Sequence, residues 1–192
     1  ARTMDRTVVK EVFMEEIYDK HRIKVEKGDT VLDIGAHIGV FGVYAAAISK
    51  TGIVYSFEPF IDNFKMLEAH KEINNCFNLK SFNDGVGDKK GKQTLFLSPD
   101  NNTGGHSLVL KTHSENKVEI TTVSQSEFCE EEKINKIDFL KLDGEGVEFN
   151  ILEKNEAILK RVNKIIMECQ PFAENTVDKM IKLLDHNNFS VI

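Results

Sequence analysis

The sequence predicts a doubly wound α/β fold, in which a mostly parallel sheet has helices on both faces and a small antiparallel insertion follows the third strand. Two observations lead to this fold class. Short apolar runs of strand length alternate with runs that carry apolar residues at helical spacing. In the middle of the chain, several β-like runs follow one another without an intervening helix. The 192 residues contain no repeat or linker, so we expect one domain over residues 1–192.

The first half of the chain alternates between helix and strand. Residues 7–18 have apolar side chains at helical spacing, and we expect the chain up to about residue 27 to form an amino-terminal helical cap. Gly28 lies in the turn before the first strand, and Pro59 lies in the turn after the second. The predicted strands cover residues 30–34, 53–57 and 78–82, and the predicted helices after the cap cover residues 40–50 and 62–73.

The second half begins with the antiparallel insertion and then returns to alternation. Three β-like runs, at residues 93–97, 107–110 and 118–123, are separated by polar turns. The chain starts at Ala1 rather than Met and ends on an apolar, strand-like tail, which is typical of a fragment of a longer protein. The remaining predicted helices cover residues 126–132, 147–159 and 176–186, and the remaining predicted strands cover residues 137–142, 164–167 and 189–192.

Composition excludes several classes of protein. The chain has 25 Lys and Arg against 31 Asp and Glu, a net charge of −6 that disfavours a nucleic-acid partner. No apolar run approaches the ~18 residues of a membrane-spanning helix, so no membrane partner is expected. The three cysteines, Cys76, Cys129 and Cys169, form no CxxC pair and predict neither a disulfide framework nor a zinc site. A reducing, cytoplasmic location fits this pattern.

A glycine-rich turn follows the first strand, where Asp33 precedes Gly35 and Gly39. A dinucleotide fingerprint counted from Gly35 requires glycine at positions now occupied by His37 and Val40, so the spacing disfavours NAD. A carboxylate at a strand end suits a cationic ligand better than a pyrophosphate. S-adenosylmethionine carries both an ammonium and a sulfonium group, whereas the simplest alternative is an ordinary tight turn.

Glu58 closes the second strand, about 20 residues after this turn, which is the offset at which an acidic side chain accepts the ribose hydroxyls of a nucleotide. The spacing therefore favours a nucleoside ligand even without a pyrophosphate site. A solvated strand terminus is the alternative interpretation of Glu58.

Three carboxylates follow the fourth parallel strand within six positions: Asp143, Glu145 and Glu148. Clustered carboxylates raise one another's pKa, so that one of them can remove a proton from a substrate hydroxyl, or several can hold a metal. The sequence shows no separate set of oxygen ligands, which favours a metal-free site. Acids in the first turn of a helix, which complement its dipole, are the structural alternative.

These segments resemble the FkbM family of S-adenosylmethionine-dependent methyltransferases, a branch of the class I Rossmann-like enzymes. The matching segments are residues 31–39, 57–59, 137–148 and 165–171. The resemblance implies that Asp33, Gly35, Ala36 and Gly39 line the methionine side of the cofactor. It further implies that Glu58 contacts the ribose and that Asn83 and Asp84 lie beside the adenine.

The resemblance also implies methyl transfer to oxygen on a sugar, glycan or natural-product hydroxyl, so that the partner is a small-molecule or glycan acceptor. Asp143 or Glu145 would take the hydroxyl proton. Two other functions stay open at this point: a nucleoside-binding module without catalysis, and a methyltransferase acting on RNA, which the acidic composition disfavours. His37 and His106 are weaker candidates for contacts with the ligands. The loop around His106 is a candidate for a mobile lid over the acceptor, and an ordinary surface loop is the alternative.

Overall fold

A computed structural model describes residues 3–13, 23–98, 104–109, 116–154, 156–170 and 175–192. Most predicted elements form within a residue or two of their expected bounds. The predicted helix over residues 7–18 begins earlier, at Thr3, and is described as far as Phe13; its remaining residues lie outside the described part of the chain. None of the described helices is long and apolar enough to cross a membrane.

A five-stranded sheet organises the molecule, and every neighbouring pair of its strands is parallel. In spatial order its strands are β3 (Leu79–Phe82), β2 (Val54–Phe57), β1 (Val31–Ile34), β7 (Ile137–Leu142) and β8 (Val162–Met167). Chain order and spatial order differ at one point, since β1 has β2 on one side and β7 on the other. The predicted parallel sheet is therefore confirmed.

Helices cover both faces of this sheet. Because both faces are buried, the central strands are mostly apolar on both sides instead of alternating, and their polar residues Asp33, Ser56 and Lys141 are buried as well. The helices are α1 (Thr3–Phe13), α2 (Val40–Ser49), α3 (Ile61–Ile73), α4 (Gln125–Glu131), α5 (Glu148–Glu153), α6 (Glu156–Leu159) and α7 (Val177–His186).

Alternate residues of each strand enter two separate cores. Leu32 and Leu140 pack with residues of α4 to α7 on one face, whereas Val31 and Phe139 pack with Phe41 of α2 on the other. A third, smaller cluster joins Val12 of α1 to Ile38 and Val40.

The insertion forms a second sheet with the order β4 (Gly85–Gly87), β6 (Lys117–Ser124) and β5 (Gly91–Phe96). β5 and β6 are antiparallel, as predicted, but β4 pairs parallel to β6 and was not predicted. Of the strand predicted over residues 107–110, residues 107–109 form only an isolated antiparallel bridge, from Ser107 to Phe96, and residue 110 lies outside the described part of the chain. The Ser107 hydroxyl accepts a hydrogen bond from the backbone N–H of Val109, a local turn that competes with strand pairing.

Two further elements differ from expectation. The single helix expected over residues 147–159 is divided into α5 and α6, and both helices bury apolar side chains: Ile151, Leu152, Ile158 and Leu159. The strand expected over residues 189–192 does not form. There the backbone N–H of Phe189 donates to the carbonyl of Leu184, which terminates α7.

Candidate active site

A cavity of about 440 Å³ opens at the carboxyl ends of β1, β2 and β7. This is the point where strand order reverses between β1 and β7, and the loops that follow the two strands diverge there to leave a crevice. The volume lies within the range of small-molecule sites. The fold thus places a ligand-sized cavity where the sequence predicted the function to lie.

The turn after β1 forms one wall of the cavity. Gly35, Ala36 and His37 line it, and Gly35 has a φ of +77°. A Cβ atom on Gly35 would lie 1.8 Å from the carbonyl oxygen of Asp143, so only glycine fits between the two loops. Gly39, the remaining predicted glycine, does not line the cavity but begins α2 and packs against Leu67.

Glu58 lines the cavity at the end of β2, yet only 5% of it is exposed. Its Oε2 accepts the backbone N–H of His37 at 2.8 Å, and its Oε1 accepts that of Phe60 at 2.9 Å. Burial raises the pKa of Glu58 to about 7, although these hydrogen bonds oppose the rise. The interpretation of Glu58 as a solvated strand terminus is therefore wrong. Oε1 also accepts a hydrogen bond from the Asn63 amide at 3.5 Å, so Oε2 is the oxygen that can accept a further bond, as contact with ribose would need.

Asp33 is fully buried under the turn and is not among the residues that line the cavity. Its Oδ2 accepts a hydrogen bond from the Ser56 hydroxyl at 2.8 Å, and its Oδ1 lies 3.2 Å from the Nζ of Lys141. Lys141 is 3% exposed and does line the cavity. The sequence interpretation assigned no role to Lys141, although a lysine among the apolar residues Phe139, Leu140 and Leu142 was a visible signal.

Asp143 and Glu145 both line the cavity after β7. The side chain of Glu145 accepts a hydrogen bond from the Gln170 amide. Burial, and then the negative charge of Asp143, raise the pKa of Glu145 to about 7. Glu168, which follows β8, lines the same wall and was not singled out from the sequence. The structure thus brings together the two predicted catalytic carboxylates and adds Glu168 and Gln170 beside them.

Glu148, the third carboxylate of the cluster, has a structural role. It is fully buried at the start of α5 and accepts hydrogen bonds from the backbone N–H groups of Gly144, at 2.9 Å, and Gly146, at 3.1 and 3.2 Å. These bonds hold the loop that carries Asp143 and Glu145. Within the described ranges, no three His, Cys, Asp or Glu side chains converge as a metal ion would require.

The two residues expected beside an adenine differ in position. Asp84 lines the cavity and accepts a hydrogen bond from Thr121 of β6. Asn83 does not line it, because its amide donates to the carbonyl oxygens of Glu58, at 2.9 Å, and Pro59, at 3.1 Å. Asn83 therefore braces the loop after β2.

The opposite wall comes from the amino-terminal helix and from the insertion. Val8, Glu11 and Val12 of α1 line the cavity, as does His106. The His106 ring packs edge-on against Phe60 with 4.5 Å between the ring centroids, and its Nδ1 accepts the backbone N–H of Ser98. The loop residues 99–103 before it lie outside the described part of the chain.

The described lining of the cavity is strongly acidic. It contains six carboxylates against one lysine, and that lysine is paired with Asp33. Such a wall suits a positively charged ligand and disfavours a pyrophosphate. The six carboxylates are those of Glu11, Glu58, Asp84, Asp143, Glu145 and Glu168.

This strand order, with a cavity behind a glycine turn at the reversal point, is the architecture of the Rossmann-like class I methyltransferases. A family model described as the methyltransferase FkbM domain matches residues 33–191. The chain therefore belongs to the FkbM family of methyltransferases, as its motifs predicted.

Curated relatives are distant in sequence. The hexuronic acid methyltransferase AglP of Haloferax volcanii is 28% identical over 145 residues, which are 76% of this chain and 57% of AglP. The 31-O-demethyl-FK506 methyltransferase FkbM of Streptomyces tacrolimicus is 23% identical over 219 residues, covering 95% of this chain and 81% of that protein. The AMB antimetabolite synthetase AmbE of Pseudomonas aeruginosa is 23% identical, and this chain spans 10% of its length.

A solved structure shows the same fold. The methyltransferase FkbM of Methylobacillus flagellatus superposes with a TM-score of 0.59 at 15% sequence identity, covering 88% of this chain and 40% of that one. The precorrin-6y C5,15-methyltransferase of Geobacter metallireducens superposes with a TM-score of 0.51 at 10% identity, covering 87% of this chain and 66% of that one.

Proposed function

We propose that this protein transfers a methyl group from S-adenosylmethionine to a hydroxyl oxygen of a sugar, glycan or natural-product acceptor. The observation that carries the proposal is the pairing, in one cavity, of a glycine turn braced by Glu58 with a carboxylate, Glu145, whose pKa is raised to about 7.

The residues on the β1 and β2 side fit the cofactor. Gly35 and Ala36 line the cavity. Glu58 follows this glycine turn by about 20 residues, the sequence offset at which an acidic side chain accepts the ribose hydroxyls of a nucleotide. The acidic lining attracts the cationic end of S-adenosylmethionine. When bound, S-adenosylmethionine supplies an electrophilic methyl group on a positively charged sulfur.

The residues on the β7 side fit proton removal from an acceptor. A base works best when its pKa lies near the working pH, and Glu145 meets that condition. As the acceptor oxygen formed its bond to the methyl carbon, the bond from that carbon to sulfur would break and S-adenosylhomocysteine would leave. Glu145 would take the hydroxyl proton, directly or through water, and Asp143 would add negative charge beside it. The names of AglP and of the Streptomyces enzyme, a hexuronic acid methyltransferase and a 31-O-demethyl-FK506 methyltransferase, support an oxygen acceptor.

The test is incubation of the purified protein with methyl-labelled S-adenosylmethionine and a panel of sugars, glycans and polyhydroxylated natural products. We expect labelled product and S-adenosylhomocysteine in equal amounts with at least one acceptor. Binding of the cofactor without transfer to any acceptor would instead favour a nucleoside-binding module, and transfer to RNA would contradict the class of acceptor.

A further inference from the structure

Lys141 lies in the cavity between the Gly35 turn, which follows β1, and the Asp143 loop, which follows β7. It is aligned with Asp33 across the parallel pairing of β1 and β7, and Asp33 is aligned in turn with Ser56 of β2. The three side chains therefore form a polar row across the centre of the sheet. A buried ammonium group must have its donors paired, because leaving one unpaired in the interior is costly.

Each of the three N–H donors of Lys141 has an acceptor nearby. Nζ donates to the carbonyl oxygen of Gly35 at 2.9 Å, and it lies 3.2 Å from Asp33 Oδ1 and 3.5 Å from Asp143 Oδ2. Phe41 of α2 closes the site, with its ring centroid 5.9 Å from Nζ. One side chain thus touches the turn on the cofactor side and a carboxylate on the acceptor side.

We infer that Lys141 is a positioning residue for methyl transfer, which holds the Gly35 turn and the Asp143 carboxylate in a fixed relation to each other. The inference rests on the proposed function, since it concerns the same cavity. Asp33 is then the buried counter-charge that keeps Lys141 in place and has no direct contact with the cofactor. Methyl transfer depends on alignment, and a displacement of about 1 Å can cost ~100-fold in rate.

The chain contains a matched control in Lys164 on the neighbouring strand β8. Its Nζ also contacts one carbonyl oxygen, that of Lys24 at 2.9 Å, and two carboxylates, those of Glu26 at 3.3 Å and Asp29 at 3.4 Å. These contacts lie at the amino end of the sheet, away from the cavity. Lys164→Met therefore removes a similar network without touching the site.

The test compares Lys141→Met, the double variant Asp33→Asn with Lys141→Met, and Lys164→Met. Lys141→Met alone leaves the charge of Asp33 buried without a partner, which can unfold the protein. The double variant removes both buried charges and so avoids this cost. For the folded double variant we expect kcat to fall roughly 100-fold and the affinity for S-adenosylhomocysteine to fall only a few-fold. Lys164→Met should retain wild-type kcat and affinity.

Two further readouts separate positioning from a general structural role. Once Lys141 is lost, adding Asp143→Asn should lower kcat little further, because Asp143 has already lost its support. The acid limb of the pH–rate profile should stay in place, because burial and Asp143, not Lys141, raise the pKa of Glu145, so kcat should fall by the same factor on both sides of the limb. A folded double variant with wild-type kcat would overturn the inference while leaving the proposed function intact. No methyl transfer by the wild type would overturn both.

Discussion

Glu58 accepts a hydrogen bond from the backbone N–H of His37, with 2.8 Å between Oε2 and the nitrogen. His37 has a φ of +52° and lies inside the glycine turn, so the carboxylate at the end of β2 stabilises the turn that follows β1. Glu58, the residue predicted to contact the ribose, therefore also holds the glycine turn in its conformation.

Glu58→Ala should lower both stability and cofactor affinity. The variant leaves the N–H groups of His37 and Phe60 without their acceptor, and each buried unsatisfied donor costs about 1–3 kcal/mol. Urea unfolding and titration with S-adenosylhomocysteine measure the two effects. Asp62→Ala is the control, because that exposed acid pairs with Lys65 in the first turn of α3, and its loss should change stability by about 1 kcal/mol or less without affecting cofactor affinity. Wild-type stability and affinity in Glu58→Ala would contradict both roles.

Asp143→Asn and Glu145→Gln should lower turnover more than cofactor affinity. The amide in Glu145→Gln retains the shape but cannot accept the hydroxyl proton, and general-base catalysis contributes about 10²–10⁴-fold. Asp143→Asn removes the negative charge that helps to raise the pKa of Glu145, and with it part of the strength of the base. Steady-state kinetics and cofactor titration separate the two effects. EDTA should leave the wild type unchanged. Loss of activity in EDTA with recovery in magnesium would show instead that the carboxylates hold a metal.

Methyl transfer should depend on pH through Glu145. Its pKa is raised to about 7 by burial and by Asp143, so the carboxyl group is protonated and inactive as a base below that pH. We expect kcat to rise with pH through about 7 and then level off, and we expect Glu145→Gln to remove this limb. A profile in Glu145→Gln that keeps the wild-type limb would assign it to another group.

Gly35→Ala should destabilise the protein strongly, because the new Cβ would lie 1.8 Å from the Asp143 carbonyl oxygen. Gly28→Ala is the matched control. Gly28 also has a positive φ, +91°, but a Cβ there would have no neighbour closer than 3.7 Å. Thermal unfolding of both variants separates backbone strain from collision, and an equal loss in both would show that the close approach of the two loops is unimportant.

The parallel sheet was predictable from the sequence because its strands are short, mostly apolar runs, and four of the five are followed directly by glycine or an acidic residue. The insertion was less so. β4 is only Gly85–Gly87, too short and too rich in glycine to show a strand pattern, and it forms because β6 offers it a partner. The apolar tail after α7 has strand-like residues, yet it forms no strand. Instead, the backbone N–H of Phe189 bonds to the carbonyl of Leu184 in the turn that ends the helix.

The candidate site was predictable where its residues follow strands, as Gly35, Glu58, Asp143 and Glu145 do. What could not be predicted is which carboxylates face the cavity. Asp33 and Glu148 resemble the others in sequence, but strand register turns Asp33 toward Lys141, and the start of α5 turns Glu148 toward Gly144 and Gly146. Such roles depend on contacts between residues far apart in the chain.

Calorimetric titration with S-adenosylhomocysteine, with NAD in a parallel experiment, tests the central claim most directly. The acidic cavity wall and the position of His37 where a dinucleotide site needs glycine both favour the first ligand. We predict saturable binding of S-adenosylhomocysteine, weakened in Glu58→Ala, and no measurable heat with NAD. Binding of NAD with no response to S-adenosylhomocysteine would contradict the account.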